Sequence, residues 1–187
     1  MKDLILASAS PRRKEILSKA GLIFEIIPSK YDEKLDSKNF SYKKIEKLAI
    51  NKALEVNNRV TKSALIISAD TVVVLDNIIL TKPKDYNDAF NMLKALSDRT
   101  HNVVTSICIL DTDTKKQLIK SVTTKVEFNL LSDKMITGYI NIYKPYDKAG
   151  AYGIQELPPN FVKNVDGSFE NVIGICSKAV KELIQQA

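Results

Sequence analysis

A chain of 187 residues with 44% hydrophobic and 27% charged residues has the make-up of a globular protein with a real core, sized for one domain over 1–187. Its net charge of +6, from 28 basic against 22 acidic residues, is a mild excess that suits polyanionic ligands without demanding nucleic acid. No apolar run reaches membrane-span length, and Met1-Lys2-Asp3 leads into a strand rather than a signal peptide, so a cytosolic protein is predicted.

The first thirteen residues are the most informative. Leu4-Ile5-Leu6-Ala7 opens a strand over 3–8 that runs into Ser8-Ala9-Ser10-Pro11-Arg12-Arg13. Ser10 suits an N-cap and Pro11 the first helical position, which predicts a helix over 11–20. A helix start offers unpaired N–H groups and the positive dipole end, yet two guanidiniums stand in this first turn. A bound phosphate resolves that conflict; a pair of surface arginines is the plainer alternative. Arg13 leads the stripe Ile16, Leu17 and Ala20 and so points toward the body of the protein, with Arg12 nearer the loop.

A strand over 22–27 and a polar loop over 28–40 follow, the latter carrying the unspecific acidic pair Asp32-Glu33. The helix predicted over 42–57 has the stripe Ile45, Leu48, Ala49, Ala53 and Val56. Lys52 falls on that stripe, either snorkelling from its edge or placed there for function. Ala64 to Leu75 is a nearly continuous apolar, β-branched run, the mark of a central buried strand, and Asp76-Asn77 turns it into the short strand Ile78-Ile79-Leu80. Asp70 interrupts that run. A buried carboxylate costs several kcal/mol unless paired, metal-bound or opened to a cleft. A functional carboxylate, holding a divalent cation or activating water as general base, is favoured over a strand break at Ser68-Ala69.

Lys82-Pro83-Lys84 reads as a basic turn, and 85–96 as an amphipathic helix. Two long strands, about 101–111 and 116–129, precede a helix over 132–141. Lone His101 opens the first of them and suggests a structural role. Cys108 and Cys176 lie in apolar settings and read as reduced thiols in preference to a disulfide. In the loop Asp147 to Gln155, Gly150 and Gly153 permit close backbone approach, Tyr152 offers a stacking face, and the Gln155 amide suits a base edge; a hairpin crossing is the alternative. A strand near 161–165, the turn Asp166-Gly167 and a helix from about Ser177 close the chain. This order of elements predicts a mixed α/β sheet flanked by helices.

Ser8-x-Ser10-Pro11-Arg12-Arg13, Leu48-Ala49-x-x-Lys52-Ala53, Ala69-Asp70-Thr71-Val72-Val73, Lys82-Pro83, Thr100-His101-x-Val103 and Asp147-Lys148-Ala149-Gly150-Ala151-Tyr152-Gly153-Ile154-Gln155 together resemble the Maf family of nucleotide pyrophosphatases, over essentially the whole chain. The resemblance implies a mixed, strongly bent sheet with two lobes around a cleft, similar to inosine triphosphate pyrophosphatases. It also implies hydrolysis of a nucleoside triphosphate to monophosphate and pyrophosphate. Ser10, Arg12, Arg13, Lys52 and Lys82 would then clamp the triphosphate. Glu33 and Asp70 would serve a divalent metal cation (Mg²⁺, Mn²⁺ or Co²⁺) and the attacking water, with Asp70 as proton acceptor. Arg12, Thr71 and Gln155 side with the dTTP/UTP branch rather than the 7-methyl-GTP branch, and a homodimer is implied. Ser68, Lys144 and Glu156 depart from the family pattern, where a glycine, an acidic residue and a glycine are usual. A nucleotide-binding regulator of division with incidental hydrolysis is the competing expectation; a nucleic-acid binder ranks last, because the lysines are scattered among acids.

Overall fold

The computed structural model describes residues 2–32, 35 and 37–187, so Glu33 lies outside the described residues. In chain order the elements are β1 (Asp3–Leu6), α1 (Pro11–Lys19), β2 (Glu25–Ile26), α2 (Tyr42–Asn57), β3 (Ala64–Leu75), β4 (Ile78–Leu80), α3 (Tyr86–Leu96), β5 (Thr100–Asp111), β6 (Gln117–Phe128), α4 (Asp133–Tyr143), a 3-10 turn (Ala149–Ala151), β7 (Val162–Asp166), α5 (Phe169–Ile173) and α6 (Ser177–Ile184). Among the described residues the strands form one seven-stranded sheet in the order β2-β1-β3-β5-β6-β7, with β4 as a further partner of β3. The predicted mixed α/β sheet flanked by helices is therefore the observed fold.

β3 joins a parallel half to an antiparallel half. One edge pairs with β5 in unbroken antiparallel register from Leu65 to Val74. The other edge pairs with β1 in parallel through Ala64–Ile67 and with β4 through Val73–Leu75. Residues 68–72 lie between those two partners, and Asp70 and Thr71 sit in that interval. Crevices of this kind, beyond the carboxyl ends of strands where the topology switches, are where α/β sheets place ligands. The strand break considered at Ser68-Ala69 does not occur: Ser68, Ala69 and Asp70 face Cys108, Ile107 and Ser106 in register.

Both faces of the sheet are covered, which is why β3 reads as continuously apolar. On one face Ala49, Ala53 and Val56 of α2 pack against Ile5, Ile66, Cys108 and Leu110. On the other, Ile16 and Leu17 of α1 and Ala179, Val180 and Leu183 of α6 pack against Leu65, Ile67, Ile107 and Ile109. Beyond the topological switch, Leu93, Leu96, Ile136 and Tyr139 of α3 and α4 close over Val73, Val103, Val126 and Phe128. Each such fully buried side chain contributes about 1.5–3 kcal/mol by leaving water. Cys108 and Cys176 are free and buried, and burial pushes the Cys108 thiol up to about 12. Among the described residues no helix is long and apolar enough to cross a membrane.

Three sequence expectations are corrected. The strand predicted over 22–27 pairs with β1 only through Glu25 and Ile26, because Leu22 and Phe24 instead pack on the α1–α6 cluster. β1 ends at Leu6 rather than residue 8: Ala7 N still donates to Ile67 O (2.8 Å), and the chain then turns into the cleft. The short helix α5, capped by Ser168, was not anticipated between the last strand and the C-terminal helix.

Candidate functional site

A cleft of about 890 Å³ runs between the α1–α2 side and the α3–α4 side. It is lined on one side by residues 7–13 with Lys52, Asp70 and Thr71, and on the other by Thr81, Lys82 and loop residues 147–149 and 152–155. Ser10, Arg12, Arg13, Lys52, Asp70, Thr71, Lys82 and Gln155, singled out in the sequence, thus line one cavity, whereas His101 does not.

The start of α1 forms as its sequence dictates. Ser10 caps the helix by accepting from Arg13 N (3.4 Å), and Pro11 begins it. Nothing acidic stands in the first turn. Arg13 turns inward, where its Nε donates to Gly174 O (3.0 Å), its Nη2 to Thr71 Oγ1 (3.1 Å) and its Nη1 to Ser8 Oγ (3.3 Å). Arg12 stays at the rim and pairs with Asp147 across the cleft mouth at 3.3 Å. Burial alone would raise the Asp147 carboxyl, but Lys148 and Arg12 outweigh it and hold the group below its ordinary value.

Asp70 and Thr71 project from opposite faces of β3, yet both reach the cleft because it opens beside residues 68–72. Asp70 points toward α2, where Lys52 meets it in a buried ion pair. Ser68, two residues back on the same face, donates to Ala49 O at 2.6 Å and docks α2 one turn before Lys52. Lys52 and Asp70 are both under 10% exposed, so each offsets part of the cost of burying the other's charge.

The loop after α4 is shaped by contacts the sequence only partly announced. Gly150 has φ +67°, and a Cβ there would stand 2.9 Å from Val73 Cγ2, so glycine is required on both counts. Its N–H donates to Thr81 O at 3.1 Å, tying the loop to the segment that carries Lys82. Lys148 is buried between Asp147 Oδ1 (2.9 Å) and Glu156 Oε2 (3.2 Å). Its stem packs so closely on Gly153 that a Cβ there would come 2.8 Å from Lys148 Cε. Glu156 is therefore an ion-pair partner of Lys148 inside the loop. Lys82 and Gln155 are exposed on the cleft lining.

One reading fails. Tyr152 is 6% exposed; its ring meets Phe128 and His101 edge-on and its hydroxyl lies 2.7 Å from His101 Nε2. The ring is built into the core rather than offered as a stacking face. His101 is correspondingly structural, and burial lowers it to about 4, leaving it neutral.

The family described as Maf-like protein matches residues 3–187. The chain belongs to that family. Among curated relatives, a dTTP/UTP pyrophosphatase of Ruminiclostridium cellulolyticum is 46% identical over 176 residues, covering 94% of this chain and 91% of the relative. A dTTP/UTP pyrophosphatase of Clostridium botulinum is 42% identical over 187 residues, covering 98% of each. Among solved structures, a HAM1 protein from Coxiella burnetii superposes with a TM-score of 0.55 over the full length of both chains at 16% identity, a likeness of fold alone.

Two features of this Maf protein lay outside the sequence reading: Asn171 and the Gly174 carbonyl, which hold the inner wall behind Arg13 and Thr71. Their signal in the sequence is faint: in Glu170-Asn171-Val172-Ile173-Gly174-Ile175 the amide stands beside a charged residue at the start of a short apolar stretch, and no apolar run precedes it as in β3. The donor set also suits the divalent cation that the resemblance implies. Among the described residues no group of three or more His, Cys, Asp or Glu gathers as a metal cage. Mg²⁺ commonly takes one or two carboxylates and completes its shell with water and phosphate oxygens. The hard oxygens of Asp70 on the lining of an open cleft of about 890 Å³ fit that mode.

Proposed function

We propose that this Maf protein hydrolyses dTTP and UTP to the nucleoside monophosphate and pyrophosphate, as a house-cleaning enzyme of nucleotide pools. The observation that carries the site assignment is the buried Lys52–Asp70 pair lining one cleft together with Arg12, Arg13 and Lys82. A protein that only sensed nucleotides would have no use for a carboxylate sunk in an apolar strand.

In the reaction a water oxygen bonds to the α-phosphorus and the bond to the α–β bridging oxygen breaks. The electron pair leaves with pyrophosphate, and the proton of the water passes to the Asp70 carboxylate. Lys52 fixes that carboxylate and faces the charge that grows on the phosphoryl oxygens. Arg13, clamped from three sides, presents a guanidinium of fixed direction to the phosphate chain. Ser10 and the α1 amides take further phosphate oxygens at the positive end of the helix, while Arg12 and Lys82 close over the leaving group. A divalent cation held by Asp70 and Glu33 would supply charge neutralisation on the phosphates. Thr71 lines the cleft beside Arg13, and the neutral amide of Gln155 serves the base, since an amide suits the uncharged edge of thymine or uracil.

Pyrophosphate release from a panel of nucleoside triphosphates, with Mg²⁺ and with chelator, tests the reading. Metal-dependent release from dTTP and UTP is expected; silence across the panel with nucleotide binding retained would favour the regulator. The further expectations, a homodimer working in the cytoplasm, rest on the family resemblance and are checked by sedimentation and by cell fractionation.

A further inference from the structure

Arg13 is aimed by a carbonyl, and that carbonyl needs its own support. Gly174 O accepts from Arg13 Nε and from Thr71 Oγ1, each at 3.0 Å. It follows α5, a helix of only five residues, far too short to hold itself together in water. What fixes α5 is Asn171, fully buried, whose Nδ2 shares its two hydrogens among three acceptors, Val103 O of β5 (3.0 Å), Val122 O of β6 (3.2 Å) and Thr124 Oγ1 (3.1 Å). Thr124 Oγ1 also donates to Ser168 O (3.0 Å), and Ser168 Oγ caps α5 by accepting from Asn171 N (3.2 Å). On the far side, the Glu170 carboxylate accepts from Ser177 N and Oγ and starts α6. One amide thus nails the segment that carries Gly174 to the β5–β6 pair.

We infer that Asn171 is a positioning residue for the phosphate-binding wall: it sets the Gly174 carbonyl and, through it, the direction of the Arg13 guanidinium and the Thr71 hydroxyl. The inference rests on the triphosphate reading of the cleft. Asn171 touches no substrate. Its side chain is an anchor whose loss lets the α5–α6 junction drift. Arg13 then keeps its charge and loses its fixed fork, which matters most for an oriented contact to phosphate.

The test is a double-mutant cycle with Asn171→Ser, Arg13→Ala and the double variant, read by pyrophosphate release from dTTP. Binding of inorganic tripolyphosphate by calorimetry is the second readout, since it needs no turnover and no base. Asn171→Ser is expected to lower kcat/KM about tenfold, and only about twofold once Arg13 is gone, because interacting residues are not additive. Tripolyphosphate affinity is expected to fall in the same pattern. Equal cost in both backgrounds, in either readout, overturns the inference and leaves Asn171 a stability residue. Should Asn171→Ser not fold, Thr124→Val loosens the same anchor and carries the same cycle. If wild-type protein releases no pyrophosphate, the function reading fails by itself, and the tripolyphosphate cycle still decides the role of Asn171.

Discussion

Lys52 of α2 and Asp70 of β3, 18 residues apart in the chain, meet as a buried ion pair at the point where the β1 and β4 pairings of β3 leave an interval. The Ser68–Ala49 hydrogen bond sets the helix so that the next inward-facing turn delivers the ammonium to the carboxylate. The pair is thus a product of strand periodicity on one side and helix periodicity on the other.

Asp70→Asn keeps the shape and a hydrogen-bonding oxygen but removes the proton acceptor. Turnover of dTTP should fall by about 10²–10⁴, the usual worth of a general base, while nucleotide binding measured by calorimetry persists. The melting temperature should drop as well, because Lys52 then faces a neutral partner inside the protein. Undiminished pyrophosphate release would remove Asp70 from the proton-accepting role.

Gly150→Ala tests how the loop is held against β3. The new Cβ would meet Val73 at 2.9 Å in a backbone conformation with φ +67°. Strain of this kind costs on the order of 1–3 kcal/mol. Because the Gly150 N–H also ties the loop to Thr81, KM for dTTP should rise along with the loss of stability. A variant with wild-type urea midpoint and wild-type KM would show that the loop yields without consequence.

What the sequence disclosed and what it hid follow from one distinction. Asp70 and Lys52 were legible because each breaks an apolar pattern long enough to define a face, a twelve-residue strand and a sixteen-residue helix. Arg13 was legible from its phase on α1. Asn171 follows Glu170 in α5, which spans five residues and has no apolar periodicity against which an amide would stand out. Tyr152 misled for a different reason: its partner, His101, is 51 residues away, and a tyrosine beside glycines looks exposed until that partner is known. Alternation over 22–26 suggested a full strand, whereas side-chain packing of Leu22 and Phe24 satisfies the same pattern without a ladder.

His101 gives the protein a pH dependence whose sign is fixed by burial. Its ordinary value is 6.5, and in the folded chain burial lowers it to about 4. The neutral ring contributes stability that is fully present above about pH 6.5 and is lost as pH falls through about 4. The shift corresponds to on the order of 3 kcal/mol. His101→Gln cannot titrate, so urea unfolding of wild type and variant at pH 7 and pH 4 isolates the effect: the wild type should lose more by roughly that amount. Parallel losses in both proteins would mean that His101 takes up a proton without cost.

Gln155→Glu probes the base end of the cleft. Gln155 is exposed on the lining and its amide offers both a donor and an acceptor, matching a pyrimidine edge that also carries both. A carboxylate keeps the length and the acceptor but loses the donor, and places negative charge in a cleft that must admit a polyanion. A good two-point contact to a base is worth about 1–3 kcal/mol, so kcat/KM for dTTP and UTP should fall by about tenfold or more. Purine triphosphates, which do not use that match, should change less, and the discrimination between the two classes should narrow. The ratio of kcat/KM for dTTP against GTP in wild type and variant is the measurement. An unchanged ratio would take Gln155 out of base recognition and leave the loop backbone to carry it.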